Sequence, residues 1–360
     1  MAIPKKRRAI VIPAAIAIVL FLFVPARPTA KESSPAVPQA DSCTIDADGT
    51  AHVTRVVRVP HTISPEARKL LMRRGPFGWT SLAERRAATD RFRIARAAEA
   101  RKLYPVNVQE KTLGGVRCDI ITPLKVPAAK RDRVLINVHG GGFVTDSGSL
   151  VEGIPIANLT KTKVVSVYYR LAPEFPFPAA VDDAVAVYKE LLKIYKPRNM
   201  ALFGTSAGAA LTGEIAVEMR KEKLPLPGAL GVFSGLGDFS QESDTQAIFT
   251  IWGFPGPLTP PGHGPHDPFY VGKTNPRDPV LSPIYADLHG FPPTLFITST
   301  RDLLLSNTTT LHRAFLRAGD DAELVVFDAL PHAFWYDYHL PESKEALGIM
   351  AKFFDEHVGK

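Results

Sequence analysis

Cysteine is almost missing from this chain: 360 residues hold two, Cys43 and Cys118. So few exclude a small fold stapled by disulfides and a structural zinc site built on thiolates. A single bridge between them would constrain the unfolded chain by about 4 kcal/mol; two free, buried thiols are the alternative. A membrane-spanning run of about 20 apolar residues is also lacking, because the apolar stretch Ala9–Val24 stops at sixteen. Acidic side chains are absent from residues 1–30, which supply five of the seven net positive charges, so the rest of the chain carries only two. With no zinc-finger, RNA-binding or phosphate-loop pattern, nothing points to nucleic acid as a partner.

The first thirty residues read as a targeting segment. Lys5, Lys6, Arg7 and Arg8 precede the apolar run, and Pro25, Pro28 and small residues follow it to Ala30. The expectation is a cleaved signal and an exported, periplasmic or secreted protein. The alternative is an anchor retained over residues 9–24, with association at a membrane surface. Four consecutive cations argue against a buried core helix.

Residues 31–58 are rich in Ser, Pro, Ala and Asp and read as a linker. Ser64-Pro65-Glu66 opens a helix that Gly75 closes, and Ser81-Leu82-Ala83-Glu84 has capping-box form for a second running to about Lys102. Eleven basic residues stand against four acidic ones between Glu66 and Lys102. A solvated helix face explains them most simply; a basic cap against an anionic surface or acidic substrates is the other reading.

From Val106 strands dominate. Residues 106–112 and 116–122 flank Gly114-Gly115 as a hairpin. Apolar strands follow over 133–138, 163–169, 200–205, 229–233, 294–298 and 323–327, with helices over 178–195, after Ser206, and over 306–318 and 341–358. That alternation predicts an α/β fold, a mainly parallel sheet with helices on both faces and sites at the carboxyl ends of the strands. Residues 238–283, rich in proline and glycine with Phe249, Trp252, Phe254, Phe269 and Tyr270, have no helical or strand period. They read as an ordered loop over the site. The domain plan is therefore a helical cap portion at 59–105 and a catalytic domain at 106–360 with a cap insert at 240–283.

Four motifs fall at strand ends. In Gly204-Thr205-Ser206-Ala207-Gly208, glycines bracket a serine on a strand-to-helix turn, where strain lifts the hydroxyl clear. His139-Gly140-Gly141-Gly142-Phe143 can turn backbone N–H groups toward one point, which with Ala207 N–H makes an oxyanion hole. Asp302, after the strand at Thr294, can hold an imidazole in one tautomer. His332, after the last strand, offers a side-chain type whose ordinary proton affinity lies near neutral pH. In the fourth, Tyr169 to Ala179, buried Arg170 and Glu174 could brace the glycine loop.

Together, His139-Gly-Gly-Gly142, Tyr169-Arg-Leu-Ala-Pro-Glu174, Gly204-Thr-Ser-Ala-Gly208, Asp302 and His332 resemble the bacterial hormone-sensitive-lipase family of α/β-hydrolases, over roughly residues 100–357. The resemblance implies Ser206 as nucleophile, His332 as base and Asp302 as its orienting acid. Gly141, Gly142 and Ala207 would be the oxyanion donors. It implies hydrolysis of short- to medium-chain carboxylic esters, a small-molecule partner, and no metal or cofactor. Phe143, Thr205, Trp252 and Phe334, beside these motifs or in the covering segment, are the expected pocket residues. A lactone hydrolase with the same machinery and a non-catalytic binding protein on the same scaffold are the other readings. The chain departs from the family in three places. Thr205 stands where an acid often precedes the serine, no proline follows Asp302, and Ala333 replaces a common glycine.

Overall fold

The computed structural model describes residues 41–72, 81–249 and 268–360. They fall into two units that divide between Arg58 and Val59. In the first, β1 (Ser42–Ile45) and β2 (Ala51–Thr54) pair antiparallel. A hairpin therefore occupies part of the stretch read as linker. Its four-residue strands are too short, and their faces too exposed, to leave an alternating signature. Both cysteines are free; Cys43 is exposed on β1 and Cys118 is buried in the second unit.

The second unit opens with α1 (Pro65–Met72) and α2 (Leu82–Leu103), where the Ser81 hydroxyl accepts from Glu84 N–H as the capping pattern predicts. Then come β3 (Val106–Leu113), β4 (Val116–Pro123), β5 (Val134–Val138), α3 (Ser149–Thr160), β6 (Lys163–Val167), α4 (Ala179–Leu192), β7 (Met200–Thr205), α5 (Ala207–Lys221) and β8 (Ala229–Phe233). Two short helices, α6 (Asp244–Phe249) and α7 (Pro268–Val271), occur within the stretch read as an aperiodic loop, and residues 250–267 of that stretch lie outside the described residues. The chain ends with β9 (Thr294–Ser299), α8 (Leu305–Ala318), β10 (Ala322–Phe327) and α9 (Pro341–His357).

Eight strands form one sheet in the order β10-β9-β8-β7-β5-β6-β4-β3. From β10 to β6 every pair is parallel; β4 joins β6 and β3 joins β4 antiparallel. Alternation along the strands divides the core in two. Val134, Ile136 and Leu202 belong to a cluster with residues of α4, α5 and α8. Leu135, Ala201 and Phe203 belong to one with residues of α3 and α9. Each large apolar side chain so buried contributes about 1.5–3 kcal/mol.

Helix α3 escapes the sequence reading for two reasons. Nearly all its residues are buried, so it has no polar face to betray a period, and Pro155 sits inside it. Pro155 cannot donate to Val151 C=O four residues back, and the Tyr338 hydroxyl donates there instead, at 2.6 Å.

Helix α2 is not the solvated basic face expected of it. Arg86 donates to Val144 C=O and Ala172 C=O, both at 2.9 Å, and grips the Glu174 carboxylate with both terminal nitrogens. Arg93 lies 3.4 Å from Asp146. Only Ala97 and Ala100 of α2 are buried, so charge and hydrogen bonding, more than apolar area, dock it. Arg86→Ala would leave two carbonyls without this donor, an expected loss of about 1–3 kcal/mol in urea unfolding. Arg91→Ala, at an exposed position of the same helix, is expected to stay within about 0.5 kcal/mol.

Candidate active site

The site lies at the carboxyl ends of β5, β7, β8 and β9. Ser206 follows β7 with φ 62° and ψ −122°, a left-handed conformation that a side-chain-bearing residue adopts only under constraint. A Cβ at Gly204 or at Gly208 would overlap Val138 C=O at the end of β5. The bracketing glycines are therefore required by a close approach of two strand ends. Ser206 N–H donates to Phe233 C=O at 2.9 Å, fixing the turn to β8.

Against this turn lies the loop after β5. A Cβ on Gly140 would meet Thr205 C=O at 2.6 Å and Ser206 Cβ at 3.2 Å. Gly141, Gly142 and Phe143 all take positive φ. The Gly141 carbonyl accepts from Thr145 N–H at 3.2 Å and from the Thr145 hydroxyl at 2.9 Å, with an Arg85 nitrogen at 3.4 Å. The loop that was to supply oxyanion donors is thus braced by its own chain and by α2. Tyr169 OH donates to His139 C=O at 2.6 Å and its ring stacks on the His139 imidazole. Neither Arg170 nor Glu174 is buried as expected: both are exposed, Glu174 bracing the loop through Arg86 and Arg170 pairing with Asp183.

Asp302 and His332 come together as expected, His332 Nδ1 lying 2.8 Å from Asp302 Oδ1. Asp302 is 1 % exposed. It also accepts from Leu304 N–H at 2.8 Å, from the Thr298 hydroxyl at 3.3 Å and from the Ser234 hydroxyl. Burial alone would raise this carboxyl; the neighbouring His332 charge and these hydrogen bonds overcome it and hold Asp302 below the usual carboxylate range. His332 Nε2 is buried and has no hydrogen-bond partner among the described residues. The link to the serine turn is indirect: Ser234, which donates to Asp302, follows Phe233, whose carbonyl accepts the Ser206 N–H, and no hydrogen bond joins His332 Nε2 to Ser206.

The expected pocket residues separate. Phe143 stacks on Tyr270, ring centroids 3.5 Å apart, inside an aromatic cluster with Phe239 and Phe177. Thr205 does not line a pocket: it is fully buried, donates to Glu152, and accepts from Trp335 Nε1 at 3.2 Å. Phe334 is likewise a core residue, packed between Phe327 and Trp335 at 5.0 and 5.1 Å. For Thr205 the physical reason is the strand pleat, which turns the residue before the elbow into the helical layer; Phe334 instead opens a short 3-10 turn, Phe334–Tyr336, whose three residues are all buried. Trp252 lies outside the described residues. No group of three metal-ligating side chains occurs among the described residues.

Two functional candidates carry no motif. Ser234, directly after β8, reaches Asp302. Glu152 on α3 is fully buried and accepts from Thr205 and, at 2.9 Å, from Asn137 Nδ2. Burial pushes the Glu152 carboxyl up to about 7, against the hydrogen bonds from Thr205 and Asn137 that lower it. Folded Glu152 therefore keeps a proton that the unfolded chain has released above its ordinary 4.5. Its contribution to stability is complete below that value and is lost as pH rises to about 7, a decline of about 3 kcal/mol. Urea unfolding of the wild type between these limits should show this fall relative to Glu152→Gln, which has no proton to release.

Known proteins share this fold. A family model for the alpha/beta hydrolase fold matches residues 135–336. An acetyl-hydrolase of Streptomyces hygroscopicus is 32% identical over 244 residues, 65% of this chain and 79% of the relative. An esterase of Acinetobacter venetianus is 27% identical over 70% of this chain and 84% of its own. An esterase crystal structure superposes with a TM-score of 0.73 at 31% identity, covering 84% of this chain and 97% of that one. Another, of an esterase from the bacterial hormone-sensitive lipase family, gives 0.67 at 29% identity over 82% and 99%.

Proposed function

Since the chain belongs to the α/β-hydrolase family in its bacterial hormone-sensitive-lipase branch, we propose that it is a serine carboxylesterase acting through an acyl-enzyme. Ser206 Oγ attacks the ester carbonyl while His332 Nε2 takes its proton. Asp302 holds the Nδ1 proton and balances the charge on the imidazole. The oxyanion is received by the N–H groups of Gly141, Gly142 and Ala207. His332 returns the proton to the departing alcohol, and water repeats the sequence on the acyl-enzyme, releasing the acid.

The observation that carries this reading is the polarity of His332. Nδ1 is committed to a buried carboxylate and Nε2 is left buried without a partner, while Ser206 is held in a strained turn. Relatives named esterase and acetyl-hydrolase support a carboxylic ester as substrate. Short to medium acyl chains are inferred from the stacked Phe143–Tyr270 pair, which fills space next to the glycine loop. We also propose export, on the basic start and apolar run of residues 1–30; N-terminal sequencing of the mature protein tests it.

Ser206→Ala is expected to lower kcat/KM by about 10⁴-fold or more and to abolish labelling by a fluorophosphonate. Residual turnover near the wild-type rate would exclude the mechanism. A rate series on p-nitrophenyl acetate through decanoate, with lactones beside it, reads the acyl preference. Faster turnover of the lactones would move the assignment from linear to cyclic esters.

A further inference from the structure

Thr205 and Glu152 meet under the serine turn, and chemistry fixes the direction of the hydrogen bond that Trp335 makes there. Trp335 Nε1 can only donate, so Thr205 Oγ1 accepts from it at 3.2 Å. The single hydroxyl proton of Thr205 is then free to go to Glu152 Oε1. Glu152 Oε2 accepts from Asn137 Nδ2 at 2.9 Å. One carboxylate on α3 thus reaches β5 through Asn137 and β7 through Thr205. Through Thr205 it also reaches the loop after β10, by way of Trp335. Thr205 immediately precedes Ser206, and Trp335 is three residues past His332.

We propose that Glu152 is a positioning residue for the nucleophile: through Thr205 and Trp335 it fixes the end of β7 relative to the loop of His332. Ser206 and the imidazole then keep one mutual arrangement. This inference rests on the reading of Ser206 as nucleophile and His332 as base. It also accounts for Thr205, which stands where related sequences often place an acid. Here the carboxylate enters from α3, and the hydroxyl at 205 receives it.

A group that merely filled the core would not be a carboxyl. Burial works against its charge, and a glutamine of nearly equal volume would fill the same space. The side chain is therefore retained at a cost to stability, as is common where a buried polar group fixes the geometry of a site. Small displacements between nucleophile and base are expensive in rate, so the effect should appear in kcat and not in substrate binding.

The test is Glu152→Gln in the full-length protein, read by kcat and KM on p-nitrophenyl acetate, by the rate of fluorophosphonate labelling at Ser206, and by thermal unfolding. The expected result is a variant at least as stable as the wild type at pH 8, with kcat and labelling rate both down by about tenfold or more and KM within about twofold. A folded Glu152→Gln with wild-type kcat and labelling rate overturns the inference. If that variant does not fold, the exchange variant T205D/E152Q decides, since it returns one carboxylate to the same place from β7. Recovery of folding and labelling supports the inference, and failure to recover overturns it. Absence of labelling in the wild type would bring down the nucleophile assignment itself. An unaffected Glu152→Gln beside a labelled wild type removes only the role of Glu152.

Discussion

Three backbones converge at the end of β5 at a distance that leaves no room for side chains. Gly204 and Gly208 each sit where a Cβ would overlap Val138 C=O, and Gly140 faces Thr205 C=O and Ser206 Cβ. Because β5 and β7 are neighbours in the parallel register, the loops leaving them must pass at this point. The left-handed backbone of Ser206 and the positive φ values from Gly141 to Phe143 follow from that crossing. Strain of this kind persists only where the surroundings over-determine it. Here β8 does so by accepting the Ser206 N–H, and α2 does so from the other side through Arg85 and Arg86.

The dependence on α2 makes the N-terminal helix part of the same device. Asp146 is the pivot. It caps the start of α3, accepting from Gly148 N–H, Ser149 N–H and the Ser149 hydroxyl, and it lies 3.6 Å from His139 and 3.4 Å from Arg93. Burial would raise its carboxyl, but the charge of His139, the Ser149 hydrogen bonds and the charge of Arg93 hold it below the usual range. A single ionised side chain therefore joins α2, α3 and the glycine loop. Arginines that look like solvated surface in the sequence serve as ties because their acceptors, mostly carbonyls and distant carboxylates, carry no sequence signal.

What could be read from the residues follows the same physics. The parallel strands and the order Ser206, Asp302, His332 were legible because apolar runs and punctuating glycines are local signals. The Asp302–His332 contact followed from each lying just beyond a strand of one sheet. Helix α3 was not legible, since complete burial removes the polar stripe and Pro155 counts against a helix unless Tyr338 is known to stand in. Glu152 was lost with it. Thr205 and Phe334 were placed in the pocket by adjacency to Ser206 and His332, but the strand pleat turns Thr205 away from the serine, and Phe334 opens a short 3-10 turn that packs its ring into the core. The tertiary partner, Glu152, decides which way Thr205 points.

Besides Asp146, three carboxyls of the described residues near the site show what sets their charge. All are essentially closed to solvent, so burial pushes each upward by the same mechanism. Asp302 accepts four hydrogen bonds among the described residues, one from the histidine, and lies below its ordinary value. Glu152 accepts two and stands at about 7. Glu214 accepts one, from Tyr270 at 2.5 Å, has a second oxygen with no partner, and lies well above the usual range. The charge of His332 beside Asp302, and the donors aimed at each group, set the order from lowered to raised. That order suits their places. A fixed negative charge faces the imidazole, and a neutral carboxyl ties α5 to the segment that carries Tyr270. Beneath the nucleophile, Glu152 stands near neutrality because burial raises it and the hydrogen bonds from Thr205 and Asn137 draw it only part of the way back.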